Sequence, residues 1–142
     1  RGGSPVDFID KIEGVPIGIS PGGSTSDYGE LGSGIAGTGA AGSPTHGYTF
    51  GGASPGWTYV DKIEKFPFGA TGSESDVGEI TLVMGNVSSC QSTTAIYNVG
   101  GYYSPTGSVQ DKIDKMTYAS DSNATDVGEA VDALRFGYAT EV

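Results

Sequence analysis

The stretch Val60-Asp61-Lys62-Ile63-Glu64-Lys65-Phe66-Pro67-Phe68 decides the fold, because versions of it recur on both sides of it. The earlier version runs over 9–17 and the later one over 109–118. Other landmarks recur at the same period of about 50 residues. A period of this length indicates a chain built from one repeated supersecondary unit. The repeats are expected at about 2–50, 51–99 and 100–142, within a single repeat domain spanning 1–142.

Three sets of landmarks fix the period. They are a Gly pair, the Asp-Lys pair within each version of the stretch, and an Asp-x-Gly-Glu tetrad. The residues are Gly2-Gly3, Gly51-Gly52 and Gly100-Gly101; Asp10-Lys11, Asp61-Lys62 and Asp111-Lys112; and Asp27 with Glu30, Asp76 with Glu79 and Asp126 with Glu129. An acid or lysine that recurs in every unit is expected to hold the structure together. An enzyme, by contrast, places its acid and base once.

An aromatic segment, Tyr48-Thr49-Phe50 or Tyr97-Asn98-Val99, precedes the second and third Gly pairs, and its alternation predicts a half-buried strand. The Gly pair is expected to end that strand, and a Ser-Pro loop follows it. The Asp-Lys-Ile stretch predicts the second strand. Its apolar residues Ile63 and Phe66 are three apart, which predicts a bulge or bend.

The rest of each unit also predicts strands. The Gly-Glu pair followed by Ile80-Thr81-Leu82-Val83-Met84 predicts the third strand, and Val87 to Ser92 predicts a short fourth one. Ala130 to Phe136 is the nearest approach to a helical turn, but we assign it to a strand. The sequence therefore predicts an all-β protein with about three four-stranded blades of a β-propeller.

A resemblance supports this architecture. The segments Gly47 to Gly52, Asp61 to Phe68 and Ser120 to Glu129 look like kelch-type blades, and more narrowly like repeats in tail-fibre and other virion proteins of cyanophages and marine phages. The chain departs from that pattern in the Gly-rich Tyr28 to Gly34 and from Arg135 onward. The resemblance implies a kelch-like propeller that works by binding, in a virion or extracellular setting.

Three blades do not readily close a ring, since propellers have about four to eight. Two copies are expected to pair as a homodimer and complete a six-bladed ring. The alternative is that this sequence is a segment of a longer chain that supplies the other blades. Against the dimer, about six residues of one repeat are missing from a ring closed in this way.

Composition excludes several classes of partner. The net charge is −10, from 17 acidic and 7 basic residues, so a nucleic acid would be repelled. The longest apolar run, Ile80 to Met84, is far shorter than the roughly 20 residues of a membrane span. No membrane insertion is expected. One Cys and one His exclude a zinc cluster, and Cys90 is expected to be a small buried residue.

Two motifs suggest ligands only weakly. The Gly-rich stretch from Gly32 to Gly37 matches a dinucleotide fingerprint, but the Gly and Pro residues after it prevent a helix, so no cofactor is expected. The oxygen-rich loop with Asp121, Asn123 and Asp126 resembles part of a calcium loop, with Glu74 and Asp76 placed comparably in the preceding repeat. Asx turns explain these residues more simply. The lysines of the repeats are expected to pair with the tetrad glutamates.

Function is expected where the repeats differ. Aromatic rings with a polar tip suit sugar faces and protein hot spots. The candidate binding residues, assigned to loops after the Gly pairs or to the start of the aromatic strand, are Trp57, Tyr59, Tyr102, Tyr103 and His46. The alternative for the aromatics is packing between blades. We therefore expect a non-enzymatic binding or structural module that contacts a surface glycan or protein. The alternatives are a self-assembling scaffold without a ligand and a carboxylate-dependent glycosidase or lyase.

Overall fold

The computed structural model of the chain describes residues 8–14, 24–68 and 74–137, and all regular structure in these ranges is β. Gly2-Gly3 and the first Ser-Pro pair lie outside the described residues. The strands are β1 Lys11–Gly14, β2 Ser26–Glu30, β3 Gly39–Gly42, β4 His46–Ser54, β5 Thr58–Pro67, β6 Ser75–Glu79, β7 Met84–Gly85, β8 Ser88–Gln91, β9 Ala95–Tyr103, β10 Ser108–Thr117 and β11 Thr125–Glu129.

The strands form three antiparallel sheets that repeat one pattern. Sheet 1 pairs β1 with β2, sheet 2 has the order β3-β4-β5-β6, and sheet 3 pairs β8, β9, β10 and β11 in the same way, with β7 added beside β9. Apart from β7, which lies beside β9, strands that are consecutive in the chain are neighbours within each sheet. The prediction of an all-β fold is confirmed.

The Asp-Lys-Ile stretch lies in the second long strand of each full sheet, as predicted, and register shifts surround it. Between Phe50 and Gly52 on β4, the single Gly51 faces the Asp61-Lys62 pair of β5. On the other side of β5, Ile63 pairs with Gly78 and Glu64 with Asp76, so Val77 is an extra residue in β6. The predicted irregularity is therefore confirmed, and its extra residues lie at Asp61-Lys62 and at Val77. Sheet 3 repeats both shifts, and sheet 1 repeats the second.

The Asp-x-Gly-Glu tetrad is the bulge motif itself. In each sheet the tetrad Asp accepts a hydrogen bond from the amide of the tetrad Gly, two residues later, at 3.1 to 3.3 Å. The same Asp pairs with the lysine of the neighbouring strand. The pairs are Lys11 with Asp27 (3.7 Å), Lys62 with Asp76 (3.5 Å), and Lys112 with Asp126. The expectation that these lysines pair with the tetrad glutamates was wrong, because the bulge turns the Asp carboxylate towards the lysine.

The Gly pairs do not end the aromatic strands, and that prediction was also wrong. Gly51 and Gly52 lie inside β4, with φ of 57° and 106°, and Gly100 and Gly101 lie inside β9, with φ of 64° and 129°. Positive φ lets the strand absorb the register shift and continue. A Cβ on Gly51 would lie 2.3 Å from the carbonyl oxygen of Met84, so the close approach of the neighbouring backbone also requires glycine.

Two segments assigned to strands are irregular instead. The strand β6 ends at Glu79, and only Met84 of the predicted Ile80 to Met84 strand is in a β-strand. The Ile80 amide still donates to the carbonyl of Asp61 at 2.8 Å, and the chain bends away from the sheet at the next two residues. Residues 130–136 follow the same course and contain no strand. The short fourth strand is confirmed as β8.

The core lies between sheets 2 and 3. It contains Tyr48, Phe50, Ile63, Ile80, Met84, Val87, Ile96, Met116 and Ala124. The prediction of a half-buried strand was wrong for β4, in which every residue from Gly47 to Ala53 is buried. Both faces of β4 are covered because neighbouring parts of the chain pack against them, so alternation in the sequence does not report exposure here.

Candidate functional site: the aromatic edge and the interfaces between sheets

Exposed and half-exposed rings gather at the end of the sheets where the β4–β5 and β9–β10 hairpins turn. We call this group the aromatic edge. It comprises Phe8, Trp57, Tyr59, Tyr102, Arg135 and Phe136. Each hairpin turn follows a Ser-Pro pair, and the Pro prevents further ladder pairing and begins the turn.

Trp57 is held in this turn with unusual backbone geometry. The Trp57 amide donates to the carbonyl of Ser54 at 3.0 Å, and Gly56 between them has a φ of 84°. Trp57 itself has a φ of 62°, a conformation that bulky residues rarely adopt. Its ring is 57% exposed and meets Phe8 edge-on, with centroids 5.4 Å apart. The equivalent position in the next hairpin is Gly107, with a φ of 69°.

Phe136 repeats this situation at the other end of the aromatic edge. Its φ is 54° and it is 66% exposed. The equivalent positions in the preceding units are Gly37, with a φ of 64°, and Asn86, with a φ of 56°. Gly and Asn are the residues that suit this conformation, whereas an aromatic residue is strained in it. Both of the most exposed rings of this edge therefore replace residues better suited to the backbone.

Tyr59 and Tyr102 bring sheets 2 and 3 into contact at this edge. Their rings lie 5.7 Å apart, and the guanidinium of Arg135 lies 5.8 Å from the centroid of Tyr102 and 5.9 Å from that of Phe136. Tyr59 belongs to sheet 2 and Tyr102 to sheet 3. Two phenols, a cation and an exposed ring thus follow one another in contact, and the Phe8–Trp57 pair lies in the neighbouring turn.

The structure brings together three of the five candidate binding residues. Trp57, Tyr59 and Tyr102 lie in the aromatic edge, although Tyr59 and Tyr102 are strand residues rather than loop residues as we expected. Tyr103 pairs with Met84 and packs against the core. His46 begins β4, whereas the aromatic edge lies at the other end of that strand.

Sequence reasoning missed Phe8, Arg135 and Phe136. An alignment of the repeats would have singled out Phe136, because it stands where Gly37 and Asn86 stand in the other units. Phe8 carries no such signal, since it joins the edge through a contact 49 residues away in sequence.

Buried acids hold the interfaces between sheets. Asp114 of β10 is 1% exposed and accepts hydrogen bonds from the Thr81 amide (2.8 Å) and hydroxyl (2.7 Å). Glu64 occupies the equivalent position in β5 and is 3% exposed. Burial, and then the nearby Glu74 carboxylate, raise the pKa of Glu64, while the Gly32 amide opposes the rise.

The remaining acidic candidates have protein partners. Asp121 forms an ion pair with Lys65 at 2.9 Å, and Asn123 bonds both the backbone amide and the carboxylate of Glu79. The hydrogen bond that Lys65 donates to the Asp121 carboxylate raises the pKa of Lys65. In the described ranges no three His, Cys, Asp or Glu side chains are close enough to hold a metal ion. Calcium binding stays a prediction of the sequence.

No protein-family model matches this chain, and no curated protein is similar to it. Among the described residues no helix is long and apolar enough to cross a membrane.

Proposed function

We propose that this chain is a non-enzymatic binding module that contacts a surface glycan or protein through the aromatic edge. In this proposal it is a kelch-like propeller with three blades per copy, and two copies complete a six-bladed ring. The resemblance to phage repeats makes a tail-fibre or virion component the setting that we propose for it.

One observation carries the binding proposal. Trp57 and Phe136 are strongly exposed and have left-handed backbone conformations, where equivalent positions hold glycine or asparagine. A bulky residue in this conformation costs roughly 1–3 kcal/mol, and such strain clusters at ligand-binding sites. Neither ring gains full burial in return. A ligand that stacks on the rings supplies a reason for keeping them.

The chemistry of the edge suits a carbohydrate or an aromatic-rich protein surface. Aromatic faces pack against the apolar faces of sugar rings, and the phenol groups of Tyr59 and Tyr102 offer hydrogen-bond donors beside them. Arg135 adds a cation that can bond hydroxyl or carboxylate oxygens. An acidic sugar is accommodated at this cation although the net charge of the chain is −10.

A glycan array with the purified protein tests the proposal, together with a panel of host cell-surface extracts. The variants Trp57→Gly and Phe136→Asn remove the rings and keep residues that the backbone favours. The matched control is Phe68→Ala, because Phe68 is also exposed (54%) but lies at the opposite end of its strand pair. We expect binding by wild type and the control and at least a tenfold loss in the two edge variants. Binding that the edge variants retain in full would rule out this site.

A scaffold without a ligand is the second candidate. It is favoured by the repeated interface, since Glu30 and Glu79 each accept a backbone hydrogen bond from the following sheet. Failure of every binding assay, together with a stable assembly in solution, would favour the scaffold.

A further inference from the structure

The two interfaces between sheets use the same backbone contact. At the first interface, between sheets 1 and 2, the carbonyl of Glu30 accepts the amide of Glu74 at 3.4 Å. At the second interface, between sheets 2 and 3, the carbonyl of Glu79 accepts the amide of Ala124 at 2.8 Å. These residues occupy equivalent positions, so each tetrad Glu provides a carbonyl for the sheet that follows it.

A second contact also recurs. Thr81, two positions after a tetrad Glu, donates its amide to the buried Asp114 of the next sheet at 2.8 Å, and the equivalent Gly32 lies beside the buried Glu64. A buried carboxylate needs such donors to offset its desolvation. The acid and the amide therefore form a matched pair across each interface.

A third contact connects the residues with positive φ. The amide of Asn86 donates to the carbonyl of Gly37 at 2.5 Å, and the amide of Phe136 donates to the carbonyl of Asn86 at 3.1 Å. Equivalent residues of successive units are thus joined in one direction along the chain. In each of these hydrogen bonds the carbonyl belongs to the earlier unit and the amide to the unit that follows it.

Sheet 1 and sheet 3 expose the two complementary halves of this interface. In sheet 1, Glu13 stands at the position of the buried acids but is exposed, with the hydroxyl of Thr25 donating to it at 2.9 Å. Thr25 is exposed where its equivalent Ala124 is 7% exposed. On the other side, Val131 stands at the position of Thr81 and is fully exposed.

We propose that a second copy of this chain binds head to tail, with its sheet 1 against sheet 3 of the first copy. The Val131 amide then donates to Glu13 of the second copy, and the carbonyl of Glu129 accepts the Thr25 amide of that copy. The carbonyl of Phe136 accepts its Gly37 amide. This inference deepens the self-association in the proposed function and rests on it.

The occupant is a second copy because the internal interfaces already show the required fit. Glu13 and Val131 stand at the acid and amide positions that meet at the second interface. Head-to-tail contacts are heterologous, and two copies that close a ring make the same contact twice. The net charge of −10 per copy opposes association at low salt, so measurements belong near physiological ionic strength.

Cysteine cross-linking tests the register directly. In a Cys90→Ser background, we co-refold a Glu13→Cys chain with a Val131→Cys chain and oxidise the mixture. A disulfide-linked pair is expected only in the mixture. A single chain carrying Thr81→Cys and Asp114→Cys provides the positive control, because it reproduces the internal equivalent of the same contact. Linked pairs in either variant alone would indicate a back-to-back contact and overturn the proposal.

Measuring the mass of the assembly in solution, for the wild type and for charge-changing variants, gives an independent test. Light scattering is expected to show twice the 14.4 kDa of one chain. Val131→Asp places a carboxylate against Glu13 of the partner copy and should weaken association at least tenfold, without changing far-UV circular dichroism, because Val131 is fully exposed. Adding Glu13→Lys to the same chain should restore the mass.

A single-chain mass at every concentration, or an unchanged mass for Val131→Asp, would contradict the head-to-tail contact. Glycan or protein binding by the aromatic edge is measured separately from mass. A monomer that still binds through Trp57 would therefore overturn this inference and leave the binding proposal intact.

Discussion

Replacing Trp57 with glycine and, separately, with alanine measures the strain on which the binding proposal depends. Both substitutions remove the ring and its edge-on contact with Phe8. Only glycine also removes the cost of the left-handed conformation, since Trp57 has a φ of 62°. The difference between the two variants therefore isolates the backbone contribution.

The expected magnitudes follow from exposure and geometry. Trp57 is 57% exposed, so the rest of its ring, on the order of 90 Å², is covered. At about 25 cal/mol per Å², burial of this area stabilises the fold by roughly 2 kcal/mol. The edge-on contact between the Trp57 and Phe8 rings adds about 0.5–1.5 kcal/mol. Trp57→Ala should cost about 2.5–3.5 kcal/mol. Trp57→Gly should cost about 1 kcal/mol less, because alanine is destabilising at positive φ.

Urea unfolding followed by far-UV circular dichroism is the appropriate assay, since Trp57 is the one tryptophan and its fluorescence is lost in both variants. Equal slopes in urea would show that the variants unfold to similar states. An alanine variant as stable as the glycine variant, or more stable, would refute the strain argument. It would also remove the main reason for assigning binding to this turn.

Three further substitutions test the rest of the structure by the same unfolding assay. Gly51→Ala should lower the free energy of unfolding by about 3 kcal/mol or more, because a Cβ there would lie 2.3 Å from a backbone carbonyl oxygen. In the control Gly56→Ala the new Cβ meets no atom, so only backbone strain of about 1 kcal/mol is expected. Glu64→Gln should stabilise the protein at pH 7, because the raised pKa of Glu64 means that folding favours its protonated form. This gain in stability should vanish below about pH 4, where Glu64 is protonated in both the folded and the unfolded state. An equal gain at both pH values would contradict the assigned cause. At the equivalent position, Asp114→Asn should instead destabilise by about 1–3 kcal/mol through weaker acceptance of the Thr81 donors, and no loss would show that these bonds contribute little.

The repeat, the all-β class and the second strand could be predicted because they depend on residues close together in sequence. The tetrad Asp also belongs to this group, since its bond to the amide two residues on is local. The partner of Lys62 could not be read in the same way. The choice between Asp76 and Glu79 depends on a bulge of one residue between two strands, and the sequence indicates the bulge without placing its extra residue.

The contacts between sheets could not be predicted from the sequence, for a different reason. Thr81 and Asp114 are 33 residues apart, and neither residue type is unusual for an exposed strand or loop. Their pairing depends on how two sheets pack, which repeat spacing does not specify. The same packing covers both faces of β4 and hides the alternation from which exposure was inferred.

The interrupted third strands also affect how the protein behaves at high concentration. In sheets 2 and 3, β6 and β11 each form one edge, and each carries an extra residue and an ion-paired Asp. A foreign strand that tried to extend either ladder would lose register at the extra residue and meet a charged pair there. Amyloid-like growth from these borders is therefore disfavoured. At these two edges a chain rich in short β-segments is therefore protected from fibril growth, and each added repeat would bring the same protection with it.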